Sequence, residues 1–479
     1  MNLHKMLQQR AASGRPVTVA IVGAGKFGSM FITQVRTTIG MHLVGVADLM
    51  PERARERMKV CGWDEAQFSA ANIGEALKAG TTLVTDDAMS LIRHEAIEVI
   101  IEATGDPTTG IRLCLSAIDH NKHIVMVNVE ADALAGPLLA RRAAEKGVVY
   151  SLAWGDQPAL VCEHVDWARA CGFRVIAAGK GTRYHPTYHQ STPDSVWDIL
   201  VKYMTITDRS LFNPKMFNSF VDGTKSGIEM TAICNATGLV PQSDGLGFPP
   251  ASRFELAQVC KPRADGGTLE KAGVTEVVSS MNRDGSDVPH NLVMGTYVVI
   301  EGDTEYARRC FAEYSMLPDQ SGRYAALYRP IHMIGLELGI SVASAALRKE
   351  PTGVPVAFNS DVVATAKRDL KAGELLDGEG GFCVWGRQTP AEHSLAEGLL
   401  PLGLAHNVKL LRDIPAGQGV KWSDVKIDAK DPAVSIRREM EAAFGKAGRR
   451  LTGLTHGGPR LVPGSPGNEA HITRLNKET

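Results

Sequence analysis

Three ionisable residues in the middle of the chain could take part in proton transfer. Lys180 lies between two glycines after an apolar run, Asp156 lies in a Gly-Asp-Gln-Pro sequence, and Glu229 lies further along the chain. A partly desolvated lysine can titrate low enough to serve as an acid or a base. A carboxylate can orient a substrate hydroxyl or take its proton. Anion binding by Lys180 and turn capping by Asp156 are open alternatives.

Four further residues are candidates for substrate binding: Lys225, Asn235, Arg329 and His332. Lys225 could contact an anion, and the guanidinium of Arg329 suits two-point binding of a carboxylate or phosphate. Lys225 and Glu229 are four residues apart, so an ion pair on a helix surface is the alternative for these two.

The cysteines and histidines do not predict a metal site. The eight cysteines form no CxxC pair, and most lie in apolar runs, which is typical of buried, reduced thiols. His185 and His189 are four apart, but Pro186 between them disfavours a helix that would hold both on one face. Asp156 or Glu229 could still bind a divalent cation.

The N-terminal region contains a strand, a glycine motif and a helix in succession. The apolar run Val17–Val22 leads into a GxGxxG sequence, and a second apolar run ends at Asp48, about twenty residues beyond the last glycine. Such glycines allow a pyrophosphate to approach a helix N-terminus, and the carboxylate accepts hydrogen bonds from ribose hydroxyls. The residues expected to contact a dinucleotide here are Gly23, Gly25, Lys26, Phe27, Gly28 and Asp48.

Later strands of the same pattern also end in polar residues. Thr104 and Gly105 follow one strand and Asn128 follows another, so we expect them at the nicotinamide half of the cofactor. Glu130, close to Asn128, has an open role as a substrate contact or a capping residue. The alternation of helices and strands predicts a doubly wound parallel sheet.

The pattern of apolar runs, loops and repeated segments along the sequence predicts an α/β protein with three domains. A Rossmann domain spans 15–160, a central α+β substrate domain spans 161–358, and a small all-β domain spans 359–432. The last domain contains two similar strand-turn segments with an Arg-Asp-apolar-x-Ala-Gly sequence. We expect this module to contribute no catalytic group. Residues 445–479 lack apolar periodicity and are expected to form a mobile tail.

Charge and hydropathy narrow the choice of partner. The chain carries 52 Lys+Arg against 53 Asp+Glu, a formal net charge of −1. It therefore lacks the positive electrostatic field that would attract nucleic acid or anionic lipid. No apolar run approaches the ~20 residues that cross a bilayer. We expect a cytoplasmic homo-oligomer that binds a small molecule.

The ordered motifs resemble those of homoserine-dehydrogenase-like oxidoreductases with a C-terminal SAF domain, among them the type II (DXR-like) reductoisomerases of 1-deoxy-D-xylulose 5-phosphate. The resemblance spans about residues 10 to 430 and implies that the all-β domain over 359–432 is an SAF (β-clip-like) domain. Its marks are Val22–Gly25, Ile101–Gly105, Met126–Asp132, Gly155–Pro158, Ala178–Gly181, the segment around Asn235–Gly238, Arg329–His332 and the two repeats. It implies an NAD(P)-dependent oxidoreductase of CH–OH groups in carbohydrate catabolism.

Two departures from the reductoisomerases bear on cofactor and substrate. Where those members carry basic residues suited to NADPH, this chain has Asp48, which repels a 2′-phosphate and favours NAD over NADP. The segment Thr182–His189 replaces a shorter Asn-rich segment, which indicates a different substrate. A small polyhydroxylated acid or sugar phosphate is expected.

Three alternatives stay open at this point. An oxidoisomerase would couple hydride transfer to a carbon shift, for which a divalent metal ion would be useful. Homoserine dehydrogenase is a second possibility within enzymes. A sensor that binds a nucleotide without catalysis is the third.

The role of Asp48 can be tested directly. Replacing Asp48 with Ala removes both the ribose acceptor and the repulsion of a 2′-phosphate, so the preference for NAD should fall or disappear. Titration of the wild type and Asp48→Ala with NADH and NADPH, followed by nicotinamide fluorescence, measures this. Tighter binding of NADPH than NADH by the wild type would contradict the assignment.

Overall fold

A computed structural model describes residues 2–202, 206, 209 and 213–445. The tail expected over 445–479 therefore lies outside the described residues except for its first residue. No helix among the described residues is both long and apolar enough to cross a membrane.

The N-terminal region forms a six-stranded parallel sheet with the order β3-β2-β1-β4-β5-β6. Its strands are β1 (Val17–Val22), β2 (Met41–Ala47), β3 (Leu83–Thr85), β4 (Val99–Glu102), β5 (His123–Met126) and β6 (Tyr150–Leu152). The helices of this part of the chain are α1 (Leu3–Ala12), α2 (Lys26–Val35), α3 (Pro51–Val60), α4 (Ile73–Ala79), α5 (Ala88–Arg93), α6 (Pro107–Asp119), α7 (Val129–Glu145) and α8 (Gln157–Ala170). The predicted doubly wound sheet is confirmed.

The helix after β5 is longer than its sequence pattern suggests. The pattern predicts a helix from Pro137 to Lys146, whereas α7 begins at Val129. The side chain of Asn128 caps its first turn by accepting a hydrogen bond from Ala131 N at 3.1 Å. Pro137 stays inside the helix. The earlier start places Glu130 in the first turn, where the edge of the sheet opens.

The central region forms a mixed five-stranded sheet with the order β10-β11-β9-β7-β8, in which only β7 and β8 run parallel. Its strands are β7 (Arg174–Thr182), β8 (Val274–Ser279), β9 (Thr296–Glu301), β10 (Leu317–Pro318) and β11 (Tyr324–Arg329). Its helices are α9 (Val196–Leu200), α10 (Pro214–Val221), α11 (Thr224–Thr237), α12 (Leu256–Val259), α13 (Glu305–Glu313) and α14 (Gly339–Ala343). One face of the sheet packs against apolar residues of α8 and α11.

The C-terminal region is a small antiparallel β module. Its strands are β12 (Ser360–Ala366), β13 (Leu375–Asp377), β14 (Val384–Pro390), β15 (His406–Leu410) and β16 (Val425–Lys426), with helices α15 (Ala391–Glu397) and α16 (Pro432–Phe444). Strand β12 pairs with β14, and β15 lies between β13 and β16.

The two similar segments of this module pair with each other. Leu370 and Ile414 exchange two backbone hydrogen bonds of 2.8 and 2.9 Å. Asp369 accepts from Ala416 N, and Asp413 accepts from Ala372 N, both at 2.9 Å. The sequence echo therefore corresponds to reciprocal contacts between equivalent turns.

A shared apolar core joins this module to the N-terminal sheet. One cluster of buried residues includes Ile100 of β4, Leu134 of α7, Val384 of β14 and Met440 of α16. Arg437 of α16 is fully buried within this junction. Its guanidinium donates to Asp361 at 2.5 Å, to Leu134 O at 3.2 Å and to Glu441 at 2.9 Å. Arg437 therefore connects α16 to β12 and α7.

Loss of Arg437 should destabilise the whole junction. Arg437→Ala leaves the buried carboxylate of Asp361 without its cation, and breaking a buried pair in this way costs about 3–5 kcal/mol. Urea unfolding followed by circular dichroism measures the difference. Glu439→Gln is the matched control, because Glu439 lies on the same helix as Arg437 but forms an exposed ion pair, with Arg142 of α7. Its loss should change stability by about 1 kcal/mol or less. Equal effects of the two substitutions would contradict this account.

Candidate active site

The glycine loop at the N-terminus of α2 has the shape that a dinucleotide needs. Gly25 precedes the helix, and no heavy atom lies within 4 Å of the position that a Cβ would take. Gly28 packs so tightly that a Cβ would lie 2.1 Å from Gly23 O. Asp48 accepts hydrogen bonds from Ala24 N at 2.9 Å and Met50 N at 3.0 Å, which hold its carboxylate at the end of β2. These residues fit a pyrophosphate and a ribose.

The two residues between these glycines have separate environments. Lys26 is exposed, and its ammonium lies 5.6 Å from the ring centre of Phe217 on α10. Phe27 packs against the apolar core of the N-terminal sheet. Lys26 is therefore accessible to a bound anion, whereas Phe27 anchors the loop.

Thr104, Gly105 and Asn128 lie together beyond the ends of β4 and β5. Thr104 donates its backbone N–H to Glu102 at 2.9 Å, and the Asn128 amide donates to Asp106 O at 2.9 Å. The second oxygen of Glu102 is buried without a hydrogen-bond partner. Burial raises the pKa of Glu102 to about 7. Glu102 is not among the predicted site residues, because in the sequence it is the last residue of an apolar strand.

Lys180 and Glu229 form a buried ion pair in the central region. Lys180 lies on β7 and Glu229 on α11, and their side chains are only 5% and 2% exposed. The glycines beside Lys180 are required by close packing: a Cβ on Gly179 would lie 1.9 Å from Glu276 O, and one on Gly181 would lie 2.0 Å from Leu292 O. The local sequence therefore fixes where the Lys180 amine points.

Lys225 and Glu130 form a second ion pair beside the first. Glu130 belongs to α7 of the N-terminal region, Lys225 belongs to α11, and each side chain is 13% exposed. Burial lowers the pKa of Lys225, but the nearby charges, led by Glu130, raise it above its ordinary value overall. The surface pair considered for Lys225 and Glu229 does not form, because each residue has a partner on another element.

Asp156 is close enough to both ion pairs for their charges to act on its carboxyl group. It is 5% exposed and caps α8, where it accepts a hydrogen bond from Gln157 N at 2.9 Å. Burial and the charge of Glu229 raise the pKa of Asp156 to about 7, although Lys225 and Lys180 oppose the shift. A carboxyl group with this pKa can exchange protons near neutral pH.

A cavity of about 490 Å³ opens between the sheet edge and the C-terminal module. Gly105 and Glu130 line it on one side, and Gly378, Glu379 and His406 line it on the other. Burial, and next the charge of Glu130, raise the pKa of Glu379 to about 8. The C-terminal module therefore contributes side chains to the wall of this cavity. The expectation that it contributes no catalytic group stays a prediction.

Of the three remaining substrate-binding candidates, His332 lies near the Lys180–Glu229 pair, Arg329 is paired with another residue, and Asn235 lies elsewhere. His332 lies within the electrostatic reach of Glu229 and Lys180, with Nδ1 at 2.8 Å from Met294 O. Arg329 already forms an ion pair with Glu337. Asn235 is not at the site: it is fully buried, accepts from Asn359 N at 2.8 Å and Ser360 N at 3.0 Å, and so fastens α11 to β12.

Neither metal ligation nor disulfide formation appears in the described part of the chain. No group of three or more potential ligands is clustered there. His189 instead contacts Tyr184 at 2.9 Å and Asp222 O at 2.7 Å, while His185 contacts Arg283 O at 3.2 Å. All eight cysteines are unpaired, and Cys171 is exposed, in contrast to the burial expected for most of them.

Comparison with protein families gives matches in two of the three regions. Residues 155–338 match the family described as "Oxidoreductase DRL, catalytic domain", and residues 361–426 match the SAF domain. These matches support an oxidoreductase with an SAF domain. The first of the two spans Asp156, Lys180, Lys225 and Glu229.

Individual relatives are more distant. Homoserine dehydrogenase from Pseudomonas aeruginosa is 28% identical over 137 residues, a match that spans 28% of this chain and only 28% of that protein. Dipicolinate-bound dihydrodipicolinate reductase from Paenisporosarcina sp. TG-14 is 13% identical over 70% of this chain and 97% of its own, with a TM-score of 0.32. Myo-inositol dehydrogenase from Lactobacillus casei, solved with NAD(H) and myo-inositol, is 13% identical over 60% of this chain and 72% of its own, with a TM-score of 0.34.

The shifted pKa of Asp156 predicts a pH-dependent effect on stability. Because its folded-state pKa of about 7 lies above the ordinary value of 3.8, its contribution to stability is present at low pH and is lost as the pH rises through 7. Asp156→Asn does not titrate and keeps a good helix cap. Its thermal midpoint relative to the wild type should therefore be higher at pH 8 than at pH 5.

Asp166→Asn provides the control for this measurement, because Asp166 lies exposed on the same helix. Its midpoint relative to the wild type should not change between the two pH values. An Asp156→Asn difference that is the same at pH 5 and pH 8 would show that Asp156 is already ionised at the lower pH.

Proposed function

We propose that this protein is an NAD-dependent oxidoreductase that acts on a CH–OH group of a small polyhydroxylated acid or sugar phosphate. The observation that carries the proposal is the buried pair of Lys180 and Glu229, whose charges act on Asp156. Asp156 follows β6, which pairs with β5, the strand that Asn128 follows. Oxidation of an alcohol needs a place for a hydride and a place for a proton. The carboxyl edge of the N-terminal sheet would hold the nicotinamide that accepts the hydride, and Asp156 would accept the proton.

The glycine loop and Asp48 would hold the dinucleotide, and Thr104, Gly105 and Asn128 would line its nicotinamide half. A bound nicotinamide supplies the hydride acceptor. Asp48 supports NAD rather than NADP, since a carboxylate held at the end of β2 by Ala24 N and Met50 N would accept ribose hydroxyls and repel a 2′-phosphate.

Lys180 and Asp156 have different roles at the substrate oxygen: Lys180 donates a hydrogen bond to it, and Asp156 accepts its proton. Glu229 holds the Lys180 amine in place, so the ammonium can donate a hydrogen bond to the hydroxyl oxygen and to the carbonyl oxygen formed from it. Asp156, with a pKa of about 7, takes the hydroxyl proton as the carbonyl forms. The C–H bond is broken with its electron pair leaving as hydride, so the substrate is oxidised by two electrons.

A substrate panel tests the reaction. NADH formation is measured with sugar acids, polyols, their phosphates and L-homoserine, and the product of any active compound is identified to separate simple oxidation from oxidoisomerisation. We expect turnover with a polyhydroxylated acid or a sugar phosphate. Turnover with homoserine alone would favour homoserine dehydrogenase, and NAD binding without turnover on any compound would favour a nucleotide sensor.

Lys180→Met should lower kcat by about 10²–10³-fold, the usual effect of losing a hydrogen-bond donor to the oxygen on which charge develops. The affinity for NAD, measured by calorimetry, should stay close to that of the wild type because Lys180 is on the substrate side. Lys261→Met is the matched control: Lys261 forms another buried ion pair, with Asp319 at 2.7 Å, and plays no part in the proposed chemistry. An equal loss of kcat in both variants would show that Lys180 acts through stability alone.

A further inference from the structure

Lys367, the residue directly after β12, is a buried cation of the C-terminal module that contacts the central region. Its side chain is 2% exposed, that of Asp222 is fully buried, and Lys367 Nζ lies 2.8 Å from the Asp222 carboxylate. The same ammonium donates to Ser191 O and to Gly381 O, both at 2.7 Å. Each of its three N–H groups therefore has an acceptor, and two of these acceptors belong to the central region.

Asp222 lies at the start of the helix that carries Glu229. Helix α11 begins at Thr224, whose backbone N–H donates to the Asp222 carboxylate at 2.9 Å. The hydroxyl of Thr224 accepts a hydrogen bond from Gly386 N of β14 at 2.8 Å. The C-terminal module therefore binds the start of α11 through Lys367 and through Gly386, and Glu229 follows in the next turn of this helix.

Ser191 ends the segment that continues from the strand of Lys180. Strand β7 carries Lys180 and leads into this segment. His189, within it, donates from Nδ1 to Asp222 O at 2.7 Å. The ring of His189 also stacks on Trp385 of β14, with ring centroids 3.8 Å apart and an interplanar angle of 22°. The segment is therefore bound both to the start of α11 and to the C-terminal module.

We propose that Lys367 is a positioning residue for the pair of Lys180 and Glu229. By binding Asp222 it holds the first turn of the helix that carries Glu229, and by binding Ser191 O it holds the segment that follows the strand of Lys180. In this role Lys367 acts only through these two elements. The effect on catalysis rests on the proposed oxidoreductase activity, whereas the effect on the pair is measured without a substrate.

Amide hydrogen exchange tests whether Lys367 holds the two segments 184–191 and 222–230. Lys367→Met removes the ammonium and leaves the buried carboxylate of Asp222 without a cation, so local opening of both segments should become more frequent. Mass spectrometry should show their amides exchanging about 10- to 100-fold faster than in the wild type. The increase should exceed that in β1, because a loss of global stability alone would raise exchange equally in all three. An equal increase would overturn the inference.

Three further variants control for charge, for burial and for failure to fold. Lys367→Arg keeps a cation beside Asp222 and should keep most of the protection. Lys261→Met breaks another buried ion pair of the central region, with Asp319 at 2.7 Å, and should not raise exchange in the two segments above that in β1. If Lys367→Met does not fold, Asp222→Asn is measured instead. It leaves the bond from Lys367 to Ser191 O intact, so exchange should rise in the second segment only, and unchanged exchange there would contradict the inference.

The state of the pair itself is measured at Lys180. Acetic anhydride modifies a lysine only when the reagent reaches its amine, and the Lys180 side chain is 5% exposed and paired with Glu229. More frequent opening of the pair in Lys367→Met should make acetylation of Lys180, followed by mass spectrometry, about 3- to 10-fold faster. Lys261→Met should leave this rate as in the wild type. An unchanged rate in Lys367→Met would show that Lys367 does not position the pair.

The effect on catalysis is measured with the best substrate from the panel. Lys367→Met should lower kcat about tenfold, because a displacement of about 1 Å in a catalytic group can cost up to about 10²-fold. NAD affinity should be unchanged, and Lys367→Arg should recover most of the rate. Faster acetylation of Lys180 with an unchanged kcat would overturn the role in catalysis. Absence of turnover in the wild type would instead contradict the proposed function, and the acetylation rate would still decide whether Lys367 positions the pair.

Discussion

The requirement that every buried charge be neutralised organises this molecule. Lys180 is neutralised by Glu229, Lys225 by Glu130, and Arg437 by Asp361. In each case the partner comes from a distant part of the chain, because none of these pairs is formed within a single turn of helix. An uncompensated charge in such an environment is strongly destabilising. The pair of Lys225 and Glu130 joins the central region to the N-terminal region, and Arg437 also donates to Leu134 O of α7. These contacts hold the regions together beside the cavity that Glu130 lines.

The ion pairs at the candidate site leave two carboxyl groups that are not matched by a lysine of their own. Two lysines at the site are matched by Glu229 and Glu130, and Asp156 and Glu379 remain as additional carboxyls whose pKa values are raised to about 7 and 8. Full ionisation of all four would place four negative charges against two positive ones. The excess is relieved by protonation, which supplies proton-exchanging groups near neutral pH without a histidine in that role.

The sequence predicted the parts of the site that depend on local pattern. The glycine loop, Asp48 and the strand ends follow from periodicity and spacing, because a βαβ unit relates these positions over a few tens of residues. Partners across regions could not be found in this way. Glu130 and Glu379 are separated by most of the chain, and Asn235, close in sequence to Glu229, lies on the part of α11 that fastens β12 instead. Spacing along one chain does not reveal which element will pack against which.

The C-terminal module is consequently a structural component of the site rather than an appendage. Helix α7 carries Glu130 in its first turn and is buried along nearly its whole length, with α6 on one side and α16 on another. A helix that is apolar on most of its surface must be covered from several directions. The module supplies part of that cover through Arg437 and the shared apolar core, and its Glu379 lines the cavity. Since Glu130 keeps its position only while α7 is covered, the module supports the carboxylate that pairs with Lys225.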